Sequence, residues 1–179
     1  KKKGYEVLYF LDQRDEFVSG IMQSYDEKKF ISISQANLDL DSEEEKKEIE
    51  EKTAENKDML TAMKDALADK VKEVRISSRL IDDPVCIVAE EGVSLDMERY
   101  MANDPMNKDR AITATKILEI NPNHPIFNKL REVSTSSPDK LKEYTDVLYD
   151  QALLIEGLPI KNPVEFAKKI TNLIVDAKN

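Results

Sequence analysis

His124 is the only histidine and Cys86 the only cysteine in the 179-residue chain. The two side chains most often used as base, nucleophile or soft metal ligand therefore occur once each, far apart in sequence, whereas a zinc-type site needs three or four such ligands. His124 stands between Asn123 and Pro125, a setting for a structural or solvated imidazole rather than a general base. Cys86 lies within the apolar run Val85 to Ala89 and reads as a small buried hydrophobe, not a reactive thiolate. The acidic neighbours Asp82-Asp83 and Glu90-Glu91 flank strand ends, and nothing marks them as a general acid/base couple. Phosphate-cradling loops need clustered glycines, but Gly4, Gly20, Gly92 and Gly157 are widely separated. The expectation is no catalytic residue, no cofactor-binding residue and no metal site.

With chemistry thus thin, surfaces carry the information. A formal charge of -9 and a pI near 4.8 argue against a nucleic-acid face, because phosphate binding needs net basic surface. A hydrophobic content of 40% suits one well-buried domain or a domain plus a piece of another. No membrane span and no secretory h-region is legible. A lone cysteine permits no internal disulfide, so the cytoplasm is the expected compartment. Lys1-Lys2-Lys3 without an initiator Met, running straight into a strand-like segment, reads as the interior of a longer protein.

The elements divide at Leu38. Before it, the apolar run Glu6 to Leu11 is expected to be a parallel strand, Asp12 to cap a helix burying Phe17, Val18, Ile21 and Met22, and Phe30 to Ile33 to form a second strand. This β-α-β unit is too small to stand alone and reads as the tail of an α/β domain. After it, Ser42 and Glu45 form a capping box ahead of one long helix reaching about Val71. Its first half is charged all round, as in a solvated linker, and its second half places Leu60, Met63, Leu67 and Val71 at core spacing. Three short strands follow, Val74 to Ser77, Val85 to Ala89 and Lys116 to Ile120, the last terminated by Asn121 to Pro125.

Between the second and third strands, Val93, Leu95, Met97, Tyr100, Met101 and Met106 stand among Asp, Asn, Arg and Glu. Ser94 caps a short helix there that Asp104-Pro105 ends. Methionine is flexible and polarisable, so such a surface suits partners of varied shape. The alternative, that these side chains only seal the sheet edge, stays open.

The last forty or so residues form two helices. Ser137 with Pro138 starts the first and Gly157 caps its C-terminus; Asn162, Pro163 and Glu165 start the second. Leu141, Tyr144, Leu148, Ala152 and Ile155 make one stripe on the first helix, and Val147, Leu154 and Leu158 a second beside it. On the second helix Phe166, Ile170, Leu173 and Ile174 make one stripe, with Val164, Thr171 and Val175 beside it. One face fits the domain's own core, and the other calls for a partner. A two-fold copy would complete a four-helix bundle. Burial of both stripes within one chain is the competing reading.

The residue runs Gly4-Tyr5-Glu6-Val7-Leu8-Tyr9, Leu118-Glu119-Ile120-Asn121-Pro122-Asn123-His124-Pro125 and Leu148 to Gly157, with Asn162-Pro163 and with Arg79-Leu80 ahead of Pro84, resemble the heat-shock protein 90 chaperone family. They occur in that order at comparable spacing along the whole chain, closest to the bacterial type. The resemblance implies residues 1-37 as the end of a middle domain and residues 38-179 as a C-terminal dimerisation domain, with an ATPase domain, ATP and magnesium upstream. It also implies an α+β fold: a β-α-β tail, a long helix, a three-stranded sheet and a dimerising helical hairpin. The homodimer interface would use Leu148, Leu153, Leu154, Ile155, Phe166, Ile170, Leu173 and Ile174. Unfolded client proteins would meet Leu95, Met97, Tyr100, Met101 and Met106. Eukaryotic cytosolic members end in an acidic co-chaperone-recruiting peptide; this chain ends Ile174 to Asn179, so no such recruitment is expected. The expected function is a dimerising, client-contacting module of an ATP-dependent chaperone, not itself an enzyme. A regulatory or oligomerisation fragment of an α/β enzyme is the alternative, and a plain structural scaffold a third.

Overall fold

The computed structural model describes residues 7–36, 38, 41–103 and 112–176. It is an α+β fold whose elements run α1 (Gln13–Met22), β1 (Ser24–Tyr25), β2 (Lys28–Lys29), α2 (Glu43–Glu55), α3 (Lys57–Leu67), β3 (Glu73–Ile76), β4 (Val85–Ala89), α4 (Leu95–Asn103), β5 (Lys116–Ile120), α5 (Pro125–Ser136), α6 (Pro138–Ile155) and α7 (Pro163–Asp176). Among the described residues, no helix is long and apolar enough to cross a membrane.

The N-terminal part departs from the expected β-α-β unit. Asp12 caps α1 in a full capping box with Asp15, but residues 7–11 and 30–33 are not strands. In their place β1 and β2 form a two-residue antiparallel ribbon. A parallel strand needs hydrogen-bonded neighbours and cover on both faces. The described chain supplies neither, and Leu8, Tyr9, Phe10 and Leu11 are all exposed.

The single long helix is in fact two. The Ser42–Glu45 box forms as expected, but the helix breaks at Asn56, whose side-chain amide donates to the Lys52 carbonyl at 2.7 Å. A local side-chain bond of this kind competes with the helical ladder. The two halves also answer to different environments. No residue of α2 is buried, whereas Met59, Leu60, Met63 and Leu67 of α3 are.

All three strands form, in the order β3-β5-β4, with β3 parallel and β4 antiparallel to the central β5. Strand alternation sends Val74, Ile76, Val85, Ile87, Ala89, Leu118 and Ile120 into the main core. That face is covered by α3, α5 and α6, which contribute Met63, Leu67, Leu130, Leu141, Leu148 and Ala152. The opposite face carries a smaller cluster of Val88, Ile117 and Ala36, with Cys86 against it.

Helix α5 was not legible as an element: Asn121 to Pro125 reads as a strand terminator. It also starts a helix, because His124 Nδ1 accepts from the Ile126 amide at 3.1 Å and Pro125 takes the first helical position. Phe127, Leu130 and Val133 are its buried stripe. Asn121, fully buried, donates to the Ile81 and Asp83 carbonyls at 3.1 and 3.0 Å, tying the β3–β4 loop to the end of β5.

Candidate interaction surfaces

Helix α6 is committed to the core by Leu141, Leu148, Ala152 and Leu153. Its end is set locally: Gly157 at φ +67° is left-handed, the Leu158 amide donates to the Leu153 carbonyl at 2.9 Å and the Gly157 amide to the Leu154 carbonyl at 3.0 Å. These are the two bonds of a Schellman turn, and its usual apolar contact comes from Leu153 and Leu158, both buried in the main core. At the other end Ser137 holds the N-cap position without a side-chain bond, its amide donating instead to Val133 at the end of α5. For α7 the Glu165 amide donates to Asn162 Oδ1 at 3.2 Å and the Asn162 amide returns a bond to Glu165 Oε2 at 3.0 Å. This is a side-chain version of the expected box.

The hairpin is pinned by Asp146 of α6, which accepts from Lys70 and from Lys169 of α7, each at 2.9 Å. Burial pushes the Asp146 carboxyl up, but the hydrogen bonds from Lys169 and Lys70 outweigh it and hold it below the ordinary value of 3.8. A folded-state value below the unfolded one stabilises the fold above that ordinary value, and the contribution is lost as pH falls through the lower, folded one. The stability gap between the parent chain and Asp146→Asn should therefore close on acidification from about pH 5 to about pH 2. Denaturant midpoints across that range check it, and a constant gap would mean that the carboxylate's charge contributes nothing. Tyr149 lies beside the pair, the Lys70 ammonium 5.6 Å from its ring, and burial raises its hydroxyl to about 12.

Lys169 turns the Phe166, Ile170 and Leu173 side of α7 toward its own chain, where all three are half-buried. At 100° per residue, Val164, Ala167, Thr171, Ile174 and Val175 fall on the adjoining arc. That arc is open: Val164 is 66%, Ile174 60% and Val175 59% exposed. A shallow groove lined by Pro163, Val164, Ala167, Lys168, Thr171 and Asn172 runs along it. The last turn of α6 adds Leu154 and Ile155, 52% and 58% exposed. Of the eight residues assigned to an interface, Leu154, Ile155 and Ile174 are thus uncovered and Phe166, Ile170 and Leu173 half-covered. Leu148 and Leu153, the other two, are buried. They belong to the chain's own core, because α6 is packed on both flanks rather than on one stripe.

The second surface is α4, started by Ser94, whose hydroxyl accepts from the Met97 amide at 3.0 Å. Leu95, assigned to client contact, is 2% exposed and anchors the helix in the main core. Met97 and Met101 are half-buried, and Tyr100 is exposed, meeting Phe17 of α1 edge-on at 6.4 Å between ring centres. Met106 lies outside the described residues. Two charged contacts fix the helix. Glu98 receives the buried Lys116 ammonium at 2.5 and 2.7 Å and the Ala114 amide at 2.8 Å. Arg99 pairs with Asp96 and donates to the Glu156 carbonyl at 3.1 Å, so α4 abuts the turn between α6 and α7.

Charge pairs built on buried Lys116, Glu119 and Asp146 are what sequence reasoning missed, with half-buried Glu98 and the cations that meet the two carboxylates. A signal was present in Lys116 and Glu119, charged residues inside an otherwise aliphatic strand. Cys86 sits beside Glu119, and burial, reinforced by that carboxylate, lifts its thiol to about 12.

The geometry defines a class: an α+β domain that ends in a helical hairpin with an uncovered apolar arc, next to a short Met-bearing helix. The profile of the Hsp90 protein family matches residues 1–178. The chain is 46% identical over 173 residues to the chaperone protein HtpG of Bacillus subtilis, covering 97% of this chain and 27% of that protein. It is 47% identical over 174 residues to the chaperone protein HtpG of Clostridium acetobutylicum, with the same two coverages of 97% and 27%. The chain belongs to the Hsp90 family and is of its bacterial HtpG type. It spans about a quarter of the length of these relatives.

Proposed function

We propose that this chain is the homodimerising and client-contacting module of an ATP-dependent chaperone. Residues 1-37 would close a middle domain and residues 38-179 form the C-terminal domain. ATP and magnesium belong to a domain outside this chain, and the compartment is the cytoplasm. The observation that carries the proposal is the open apolar arc of Val164, Ile174 and Val175 on α7, with Leu154 and Ile155 exposed in the last turn of α6. Exposed apolar surface of this kind, on helices whose other sides are already packed, marks an association site. A second copy brings the same arc across a two-fold axis. Sedimentation of the 179-residue chain across a concentration series tests this directly: a dimer is expected, and a monomer at every concentration would sink the proposal.

Client contact is assigned to Met97, Tyr100 and Met101, the partly exposed side of α4. Changing all three to Ser should cost no more than about 2 kcal/mol of stability, as partly exposed positions allow. Suppression of a model client's aggregation by the full-length parent should nevertheless fall several-fold. A larger stability loss with client handling unchanged per folded molecule would return these residues to the core.

A further inference from the structure

On the sheet face away from the main core, the register places Arg75, Glu119 and Cys86 side by side across β3, β5 and β4. Glu119 is 2% exposed. Its Oε1 accepts from Arg75 Nε at 3.1 Å and Nη2 at 2.7 Å. Its Oε2 accepts from the Ser77 hydroxyl at 2.9 Å and lies 3.0 Å from Arg79 Nε. The carboxylate holds the Nε–Nη2 edge of Arg75 and lies against Nε of Arg79, while Arg75 Nη1 faces Glu73 Oε1 at 3.4 Å; both arginines also reach the segment before α2. Arg79 Nη1 donates to the Ile33 and Gln35 carbonyls at 2.8 and 3.0 Å, and Arg79 Nη2 to the Ala36 carbonyl at 3.2 Å. Arg75 Nη2 also donates to the Ala36 carbonyl. The same segment pairs with the end of β4: the Ala36 amide donates to the Ala89 carbonyl at 2.8 Å, and the Ala89 amide to the Ser34 carbonyl at 2.9 Å.

We propose that Glu119, Arg75 and Arg79 are positioning residues that lock the 33–36 segment onto the outer face of the sheet, making a rigid joint between the N-terminal part of the chain and the C-terminal domain. The physical reason is that one buried carboxylate orients both guanidinium groups. A planar fork saturated on one side by a buried carboxylate is held in a fixed plane, so its other N–H groups meet the carbonyls already oriented. A backbone bridge of one residue pair would fray alone; the two arginines supply the cross-links that stop it. What the joint transmits rests on the chaperone reading, since movement of the N-terminal part would reach the sheet, and through it α6, without slack. The joint itself does not depend on that reading.

The test is residue-resolved amide hydrogen exchange on the 179-residue chain. In Arg79→Ala the Ala36 and Ala89 amides should exchange at least tenfold faster. Leu118 and Ile120 should keep their protection, because Glu119 retains Arg75 and Ser77. Arg79→Lys keeps a positive charge beside Glu119 but lacks the fork, so it should loosen the same two amides, and it serves if the alanine variant folds poorly. Unchanged exchange at Ala36 and Ala89 in either folded variant would overturn the proposal, as would a uniform rise across the sheet, which marks a general stability role. Failure of the chain to dimerise would instead count against the proposed function and leave these two amides unaffected.

Discussion

Leu154→Asp combined with Ile174→Asp is expected to give a folded monomer at concentrations where the parent chain is dimeric. Both side chains are more than half exposed in the single chain, Leu154 at 52% and Ile174 at 60%, so neither carboxylate is forced into the chain's own core. In a two-fold assembly each substitution appears twice, and a buried unpaired charge costs about 3–5 kcal/mol. Each 1.4 kcal/mol is a factor of ten in the dissociation constant, so a weakening of at least about a thousandfold follows. Ile170 is the poorer choice, since it is half-buried against its own chain and its replacement would mix folding with association. Sedimentation with circular dichroism reads the result. A variant that stays dimeric would place the interface elsewhere, and one that unfolds would show the arc to be core.

The second large effect is expected at the Lys116–Glu98 pair. Lys116 enters the core-facing row of β5, its side chain 4% exposed, and Glu98 of α4 is its carboxylate partner. Glu98→Ala leaves that ammonium buried and unpaired and takes the acceptor from the Ala114 amide, an expected loss of about 3–5 kcal/mol. For a domain of this size that is roughly 6–20 °C in melting temperature. Glu98→Ala with Lys116→Met should recover part of it, because no ammonium is then left buried and unpaired, although the Ala114 amide still lacks its acceptor. Thermal melts of the two variants decide the matter. Equal losses in both would mean that Glu98 acts through helix packing rather than through the charge it neutralises.

The two surfaces were legible to different depths. Helical spacing marked two apolar stripes on each helix, among whose residues Leu154, Ile155 and Ile174 are uncovered in the single chain. The same spacing could not separate them from Leu148 and Leu153, because a helix packed on two flanks carries a wider apolar arc than one stripe needs. In α4, Ser94 and the methionines announced a short amphipathic helix. That Leu95 points inward followed only from the sheet beneath it. His124, read as structural or solvated, proved to be the cap of α5, a role that the preference for Ser, Thr, Asp and Asn at that position conceals.

What the sequence by itself determined is whatever closes within a few residues. The Asp12–Asp15 and Ser42–Glu45 boxes, the Gly157 turn, and the three short aliphatic strands all lie within hydrogen-bonding or pleat distance of the residues that announce them. Only the tertiary structure decided the rest. The apolar run from Leu8 to Leu11 stays out of any sheet because no neighbouring strand in the described chain offers it hydrogen bonds. Glu119 meets Arg75 across a strand register and Arg79 across a loop, with the segment at 33–36 closing over them. Asp146 meets one lysine 76 residues before it and another 23 residues after it. A buried charge is tolerable only where its partner arrives, and partners separated by that much chain are brought together by packing, which no local pattern encodes.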